Sequence, residues 1–232
     1  MTAFAYTNQE LKRHSVNTMN HALKHSGENY AEVCVKRIRS ASGSPIFSPD
    51  EFIGLVRVAA ALHDSGKAAD SYQRQFQGTP PERPSFYLHE IPSAIITKGL
   101  MEEAGYDPDS VFLVSLAVLS HHTAMRTYSR QERLLDKANQ PWTFRKCKSD
   151  LDELSESILG TKLHFSRIDR DCAKNFMEWV DRMAGDCRNN SFAKLYCLIL
   201  SPVIYGDNID AQSRGGYNKS RFVEELEETI DG

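Results

Sequence analysis

The chain has 232 residues, with 28 lysines and arginines against 31 aspartates and glutamates, so its formal net charge is −3. This length allows one large domain or two small ones, with enough residues to bury a sizeable core. The near balance of charges excludes a polybasic protein that coats nucleic acid or membrane by charge alone, but it leaves room for nucleic acid held in one local groove. The apolar runs are shorter than the ~20 residues of a membrane-spanning helix.

The cysteines indicate a reducing environment. There are five, they are widely spaced, and no two of them form a CxxC pair. This pattern predicts reduced thiols that fill the core, and it gives no sign of a zinc finger. Because the first residues also lack the basic start and apolar stretch of a signal peptide, we expect a soluble, cytoplasmic protein.

Helix signals recur along the chain, and strand signals are nearly absent. Residues Thr7 to Glu10 have the spacing of a capping box, which predicts a first helix that runs to about Ser26. A second capping box at Ser48 to Glu51 opens an apolar helix that we expect to end near Asp64. Further helices are predicted at about 67–77, 92–105, 108–122, 149–159, 166–184, 191–205 and 222–230.

These helices predict an all-α fold. The sequence contains no internal repeat and no low-complexity linker, so we expect a single compact domain over residues 1–232. Two features depart from the average composition: a basic insert at about 124–148 and an acidic C-terminal helix at about 218–231. The acidic helix is typical of a solvated face.

Short polar motifs follow the apolar segments. The motif from His63 to Lys67 ends a strongly apolar helix, where a buried imidazole and carboxylate need a partner that a metal ion can provide. A histidine pair also ends the apolar helix at 108–122, although histidine there can serve the helix dipole alone. The four motifs are His63-Asp64-Ser65-Gly66-Lys67, His89-Glu90, His121-His122 and Gly206-Asp207-Asn208. Each motif is weak alone, and only their joint pattern is informative.

The joint pattern of His, His-Asp-x-x-Lys, His, His-His and Asp resembles the HD-domain metal-dependent phosphohydrolases. The stretch HDSGKAADSYQRQF is similar to a motif of the HD nuclease domain in the type I CRISPR-associated helicase–nuclease, and HEIPSA resembles that family's His-Glu-hydrophobic-x-Ser-Ala helix. The resemblance extends over about residues 10–215. No Walker motif follows here, so the chain resembles a stand-alone HD subunit or an isolated HD domain. It departs from the family in having Thr123-Ala124 after the histidine pair, where glycine is common, and in a longer spacing to Asp207.

The resemblance implies a set of metal ligands. The first is His14, since Leu11 to His14 matches the family's Leu-x-x-His, with His21 as the alternative. The last is Asp207, which follows an apolar helix, with Asp210 one turn on as the alternative. The full set is His14, His63, Asp64, His89, His121, His122 and Asp207.

The ligand types suit two divalent transition metal ions, drawn from Mn, Ni, Co, Fe or Zn, better than Mg alone. We expect one ion to bind His14, His63, Asp64 and Asp207, and the other to bind Asp64, His89, His121 and His122. Asp64 would bridge the two ions, and Lys67 would offset charge on a phosphate in the transition state. Asp64 and Lys67 are therefore the predicted catalytic residues.

The basic insert provides a second candidate site. Seven basic residues and two acidic ones lie between Arg126 and Lys148, interleaved with aromatic residues. Such a composition is typical of a single-strand groove, in which cations bind the backbone and rings stack on bases. A solvated helix with one or two core rings is the alternative interpretation. The predicted nucleic-acid contacts are Arg126, Arg130, Trp142, Arg145 and Lys146.

The resemblance implies a metal-dependent nuclease that hydrolyses phosphodiester bonds of single-stranded DNA in CRISPR interference, an antiviral defence. Its implied partners are a separate helicase subunit and an RNA-guided surveillance complex, with no membrane. The alternative within enzymes is a nucleotide or cyclic-dinucleotide phosphohydrolase of the wider HD superfamily, although the Gly-Tyr-Pro of the cyclic-dinucleotide branch is absent from HHTAMRTYS. A catalytically silent adaptor is disfavoured by the intact ligand set. Endonuclease and exonuclease cleavage both stay open at this point.

Overall fold

The computed structural model describes residues 1–42, 48–122, 135, 141–186 and 190–214. Within these ranges, helices joined by short turns make up most of the chain, which confirms the all-α prediction. The α-helices are α1 (Leu11–His25), α2 (Glu28–Ser42), α3 (Pro49–Leu62), α4 (Asp70–Gln73), α5 (Glu90–Glu103), α6 (Pro108–Ser120), α7 (Lys148–Leu159), α8 (Arg170–Asp186), α9 (Asn190–Ala193) and α10 (Tyr196–Ser213). Two antiparallel strand pairs accompany them, β1 (Phe4–Tyr6) with β2 (Gln9–Glu10) and β3 (Trp142–Thr143) with β4 (Arg167–Ile168).

The two predicted capping boxes have different outcomes. At Ser48 the prediction is confirmed, since the Ser48 hydroxyl accepts a hydrogen bond from the Glu51 amide at 3.2 Å and the Glu51 carboxylate accepts one from the Ser48 amide. At Thr7 it is wrong. The Thr7 hydroxyl donates to the carbonyl of Pro81 at 2.5 Å, in the turn between β1 and β2. Helix α1 therefore begins only at Leu11.

Helix α3 lies at the centre of the fold. It contacts α1, α2, α5, α6, α7 and α10, and its buried side chains include Phe52, Leu55 and Leu62. Because α3 ends at Leu62, the next two residues, His63 and Asp64, lie inside the protein, where they are 0% and 1% exposed. The first predicted motif is thus delivered to the middle of the fold.

Two glycines allow the close approaches that assemble the site. A Cβ on Gly66 would lie 2.3 Å from the His89 carbonyl oxygen, so the 3₁₀ turn Ser65–Ala68 sits directly against the start of α5. The Gly66 amide also donates to the Ser93 hydroxyl at 2.8 Å. A Cβ on Gly206 would lie 2.3 Å from the Thr18 carbonyl oxygen, so α10 packs backbone to backbone on α1. These contacts fix the distances between the motifs.

The predictions for the cysteines are confirmed in part. The four described cysteines are free thiols, of which Cys34 and Cys147 are buried as predicted, whereas Cys172 and Cys197 are exposed. Among the described residues, no helix combines the length and the apolar character needed to cross a bilayer.

Candidate metal centre

Seven side chains from five parts of the fold converge on one buried position. His14 lies within α1, two residues follow α3, one precedes α5, two follow α6, and Asp207 lies within α10. Their ligand atoms form two clusters, and within each cluster these atoms lie within 4.8 Å of one another. The first cluster contains Asp64, His89, His121 and His122, and the second cluster contains His14, His63 and Asp207. The structure therefore brings together every residue of the predicted ligand set.

The Asp64 carboxylate joins the two clusters. Its Oδ1 atom lies 2.7 Å from His89 Nε2 and 3.4 Å from His121 Nε2. Its Oδ2 atom lies 2.9 Å from His14 Nε2 and 3.4 Å from His63 Nε2. The two oxygens thus face different clusters, so Asp64 could serve both clusters if each of them held a divalent ion.

Four of the five clustered histidines are oriented by acceptors outside the centre. In each case Nδ1 is hydrogen-bonded outward, so that Nε2 points inward. The acceptors are Asp210 Oδ2 for His14 at 2.7 Å, the Ala60 carbonyl for His63 at 2.9 Å, the Phe86 carbonyl for His89 at 2.6 Å and the Val118 carbonyl for His121 at 2.6 Å. Metal-ligating histidines in proteins are held in this way by their second ring nitrogen.

Several inward atoms lack a satisfying partner, which fits a metal site. His63 Nε2 and Asp207 Oδ1 are buried without a hydrogen-bond partner, an arrangement that is costly unless a ligand is bound. The Nε2 atoms of His121 and His122 each lie 3.3 Å from His89 Nε2, so three imidazole nitrogens face one position. Imidazoles and carboxylates in this number suit a divalent transition metal.

The protonation of three histidines also suits metal binding. Burial lowers the pKa of His63 to about 4 and holds the pKa of His89 below its ordinary value. The pKa of His122 is lowered as well, first by burial and then by the adjacent His121. These three imidazoles are therefore neutral at physiological pH, and each keeps a lone pair for a metal ion.

Asp64 and Lys67 form a buried ion pair at the centre. Lys67 Nζ lies 2.6 Å from Asp64 Oδ2, and the lysine is 4% exposed. Burial alone would raise the pKa of Asp64, but Lys67 and the neighbouring imidazoles hold it well below its usual range. Burial would likewise lower the pKa of Lys67, but Asp64 raises it. Both groups are therefore charged, and Lys67 supplies a permanent positive charge beside the centre.

Asp207 and Asp210, the two alternatives for the last ligand, take different positions. Asp207 Oδ1 lies 3.5 Å from His14 Nε2 and 3.9 Å from His63 Nε2, on the inward side. Asp210 is completely buried on the opposite side of His14. Burial would raise the pKa of Asp210, but its hydrogen bonds, led by the one to His14, lower it to about 2. Of the other histidines on α1, His25 stacks on Tyr205 at 4.4 Å, away from both clusters.

The predicted nucleic-acid contacts differ in their surroundings. Trp142 is 6% exposed, and its indole N–H donates to the Tyr72 hydroxyl at 3.0 Å, so it is a core residue and the prediction that it stacks on bases is wrong. Pairing of β3 with β4 turns this ring inward. Arg145 and Lys146 are exposed, and their backbone amides donate to the Asp70 carboxylate at 3.2 and 3.0 Å.

Other parts of the prediction lie outside the described residues. These are Arg126 and Arg130, most of the basic insert, and the acidic helix at about 218–231. Within the described end of the insert, Lys148 is paired with Asp152 at 2.6 Å on α7, as part of the helix surface. The single domain over 1–232 stays a prediction.

Sequence reasoning missed an exposed aromatic residue beside the centre. Tyr87 is 50% exposed and lies two residues before His89. Between them Leu88 adopts a left-handed backbone conformation, with φ of 65°, which is rare for a residue other than glycine. The chain thereby turns Tyr87 outward while Leu88 and His89 are buried. Spacing gives no signal for such a reversal.

Comparison with known proteins agrees with this geometry. The HD domain family model matches residues 11–156, which include six of the seven clustered residues. The CRISPR-associated endonuclease Cas3-HD of Saccharolobus solfataricus is 27% identical over 98% of this chain and 96% of the relative, and that of Methanocaldococcus jannaschii is 27% identical over 98% and 95%. A solved CRISPR-associated Cas3 HD domain protein from Methanocaldococcus jannaschii matches with a TM-score of 0.65 at 20% identity, over 88% of this chain and 99% of that chain. The chain therefore belongs to the HD-domain family, as its motifs predict.

Proposed function

We propose that this protein is a metal-dependent nuclease that hydrolyses phosphodiester bonds of single-stranded DNA in CRISPR interference. The observation that carries the proposal is the meeting of two ligand clusters at one carboxylate, with the two oxygens of Asp64 facing different clusters. Two such metal positions are the arrangement used for in-line displacement at phosphorus. The names of the two relatives that are 27% identical to this chain, each a CRISPR-associated endonuclease, point to the same reaction.

The clustered residues and Lys67 would have different roles in the reaction. The second cluster with Asp64 Oδ2 would hold one divalent ion, and the first cluster, through Asp64 Oδ1, would hold the other. When bound, such ions lower the pKa of a water molecule and neutralise charge on the phosphate. Lys67, charged and beside Asp64, is suited to offset further negative charge as the phosphorus is attacked.

The least buried ligands indicate the side from which a phosphate approaches. The Asp207 side chain is 26% exposed and His122 is half-buried, whereas the other clustered residues are less than 9% exposed. One of these two residues belongs to each cluster. The open side of the centre therefore reaches both proposed metal positions, as a shared substrate requires.

The surface that we propose for the DNA strand lies around α4. The Asp70 carboxylate at the start of α4 holds the backbone of Arg145 and Lys146, and the Tyr72 hydroxyl donates to the Tyr87 carbonyl. Helix α4 directly follows the 3₁₀ turn that carries Lys67. Two cations and one exposed ring are thus anchored beside the catalytic motif, and they supply the backbone contacts and the stacking that single-stranded DNA needs. The partners we propose are a helicase subunit, which would deliver single strands, and an RNA-guided surveillance complex.

A metal and substrate screen tests the proposal. The protein is stripped with a chelator, reloaded with Mn, Ni, Co, Fe, Zn or Mg, and assayed on circular single-stranded DNA, linear DNA and a panel of nucleotides. We expect Mn or Ni to support cleavage of circular single strands, which only an endonuclease can open. Hydrolysis of nucleotides without DNA cleavage would contradict the proposal and favour the nucleotide phosphohydrolase. Purified protein that binds no transition metal and has no activity would favour the silent adaptor.

A further inference from the structure

Asp210 is a buried carboxylate that the proposed chemistry does not use. It lies on α10, one turn after Asp207, and is 0% exposed. Its Oδ2 atom is 2.7 Å from His14 Nδ1, on the side of the imidazole that faces away from both clusters. Because His14 Nε2 already faces Asp64 at 2.9 Å, Asp210 contacts the centre only through this ring.

Three more side chains donate to the same carboxylate. Gln9 Nε2 donates to Asp210 at 2.8 Å, Asn17 Nδ2 at 2.7 Å and Arg214 Nη1 at 2.8 Å. The Arg214 guanidinium lies 3.6 Å from the centroid of the Tyr6 ring, and that ring is nearly perpendicular to the His14 imidazole, with the two centroids 5.6 Å apart. Asp210 is therefore held rigidly, and Arg214 is engaged within this network.

The acceptor at Nδ1 of His14 differs from the acceptors at Nδ1 of the other three outward-bonded histidines. His63, His89 and His121 donate to backbone carbonyls, which are neutral, whereas His14 binds a carboxylate. A carboxylate behind the ring makes an imidazole a stronger ligand than a carbonyl does, and it fixes the tautomer with Nε2 unprotonated.

The metal affinity of the second cluster should depend on the strength of each ligand more than that of the first cluster does. It contains two imidazoles, where the first cluster contains three. The oxygen of Asp64 that faces it is also shared with Lys67 Nζ at 2.6 Å, which competes with a metal ion for the same lone pairs. The affinity of the second cluster for a metal ion therefore depends more on the basicity of His14.

We propose that Asp210 is the positioning residue of the second cluster: through His14 it sets the affinity for one of the two metal ions without binding either. This assignment rests on the metal centre of the proposed function, but it concerns metal binding and not DNA. Substitution of Asp210 should weaken one binding step and leave the other unchanged. Loss of such a partner typically weakens metal binding about 10–100-fold.

The test is a calorimetric titration of the metal-free protein with Mn²⁺, supported by the visible absorption of the Co²⁺ form. Asp210→Asn keeps the shape of the side chain and removes its charge. Asp152→Asn is the matched control, because Asp152 is also paired with a cation one helical turn away, Lys148, but lies on α7 outside the centre. His14→Ala and His122→Ala assign the two binding steps to the two clusters.

We expect Asp210→Asn to weaken the metal-binding step of the second cluster, the one assigned by His14→Ala, about 10–100-fold. The Co²⁺ spectrum of that step should also change. The metal-binding step of the first cluster, assigned by His122→Ala, should stay unchanged. Asp152→Asn should leave both steps unchanged. Equal weakening of both steps by Asp210→Asn, no weakening of either, or a wild-type protein that binds a single ion would overturn the assignment.

If Asp210→Asn does not fold, as judged by circular dichroism, Asn17→Ala replaces it. This variant removes one donor that holds Asp210 in place, and it should change the same binding step by a smaller factor while the other step stays unchanged. Unchanged binding at both steps would again overturn the assignment. A wild-type protein that shows both binding steps but does not cleave DNA would count against the nuclease alone.

Discussion

The two ligand clusters share Asp64 but are built from different parts of the chain. The first cluster is drawn from a single stretch, 64–122, which begins just after α3 and contains α5 and α6, and these three helices contact one another. The second cluster is closed by His14 and Asp207, which lie 193 positions apart in the chain. It exists only because α10 packs on α1. One half of the centre thus depends on local connections, and the other half on contact between the two ends of the described chain.

This difference matters for stability as well as for chemistry. In the first cluster, His89 and His121 are oriented by carbonyls of their own preceding turns, three residues back in both cases. In the second cluster, His14 is oriented by a residue 196 positions away. Local opening of α10 or of the N-terminal strands would therefore disturb the second cluster first, since such segments open more readily than a central helix.

The largest effect is expected from removing one histidine of each cluster. His122→Ala and His14→Ala should each reduce metal-dependent DNA cleavage about 100-fold or more, because a metal ion contributes several kcal/mol to stabilisation of the transition state. His25→Ala is the matched control, since His25 lies on α1 but stacks on Tyr205 outside the clusters. Cleavage rates at saturating Mn²⁺ measure the effect. Full activity in either ligand variant would show that its cluster is not needed.

Substitution of Trp142 and of Tyr87 should have different effects, because Trp142 is buried and Tyr87 is exposed. Trp142→Ala should lower the free energy of unfolding by about 3–5 kcal/mol, because it removes a buried ring. Tyr87→Ala should leave stability unchanged and weaken binding of single-stranded DNA by about 1–3 kcal/mol, the contribution of one stacked base. Denaturant unfolding and fluorescence anisotropy measure the two quantities. The opposite assignment of effects would contradict both the burial of Trp142 and the proposed role of Tyr87.

Substitution of Gly66 and of Gly206 tests separately the helix contacts on which each cluster depends. Alanine at Gly66 or Gly206 forces backbone apart and should destabilise the protein by about 1–3 kcal/mol. Gly66→Ala should affect metal binding at the first cluster more, and Gly206→Ala at the second. Gly54→Ala on α3 is the control, because its Cβ meets nothing within 4 Å; it should stabilise the helix by about 1 kcal/mol. Indistinguishable metal-binding profiles for Gly66→Ala and Gly206→Ala would contradict the division into two clusters.

The smallest effect is expected at the exposed cations anchored to α4. Charge reversal at Arg145 and Lys146 should weaken binding of single-stranded DNA and reduce the slope of log K against log salt by about 0.7 for each phosphate that the protein no longer neutralises. Their backbone bonds to Asp70 are retained in the variant. Hydrolysis of a small phosphodiester should be unchanged. An equal loss on that substrate and on DNA would mean that the two residues act on the centre and not on the strand.

The sequence predicted the first cluster well because its signals are local. Asp64, which both clusters share, follows an apolar helix with a confirmed capping box, and such a helix is expected to enter the core. The roles of Asp207 and Asp210 could not be separated, because both lie on α10 within one turn and the distinction depends on which side of His14 each one meets.

The errors have the same physical origin. Thr7 has the spacing of a cap, but its hydroxyl is bound by Pro81, 74 residues later. Trp142 lies among cations in the sequence, but its strand pairs with Ile168 and turns the ring into the core. The spacing of residues in the sequence indicates which local contacts are possible, but contacts with residues far along the chain determine which of them form.

The central claim is that one centre, joined at Asp64, cuts single-stranded DNA with bound metal. Asp64→Asn tests it better than Asp64→Ala, because asparagine keeps an oxygen that can accept a hydrogen bond from the buried Lys67, whereas alanine removes the acceptor as well as the charge. The measurement is cleavage of circular single-stranded DNA in Mn²⁺ by the wild type and by Asp64→Asn, with both proteins shown to be folded. We predict cleavage by the wild type and none by the variant. Full cleavage by Asp64→Asn would contradict the account.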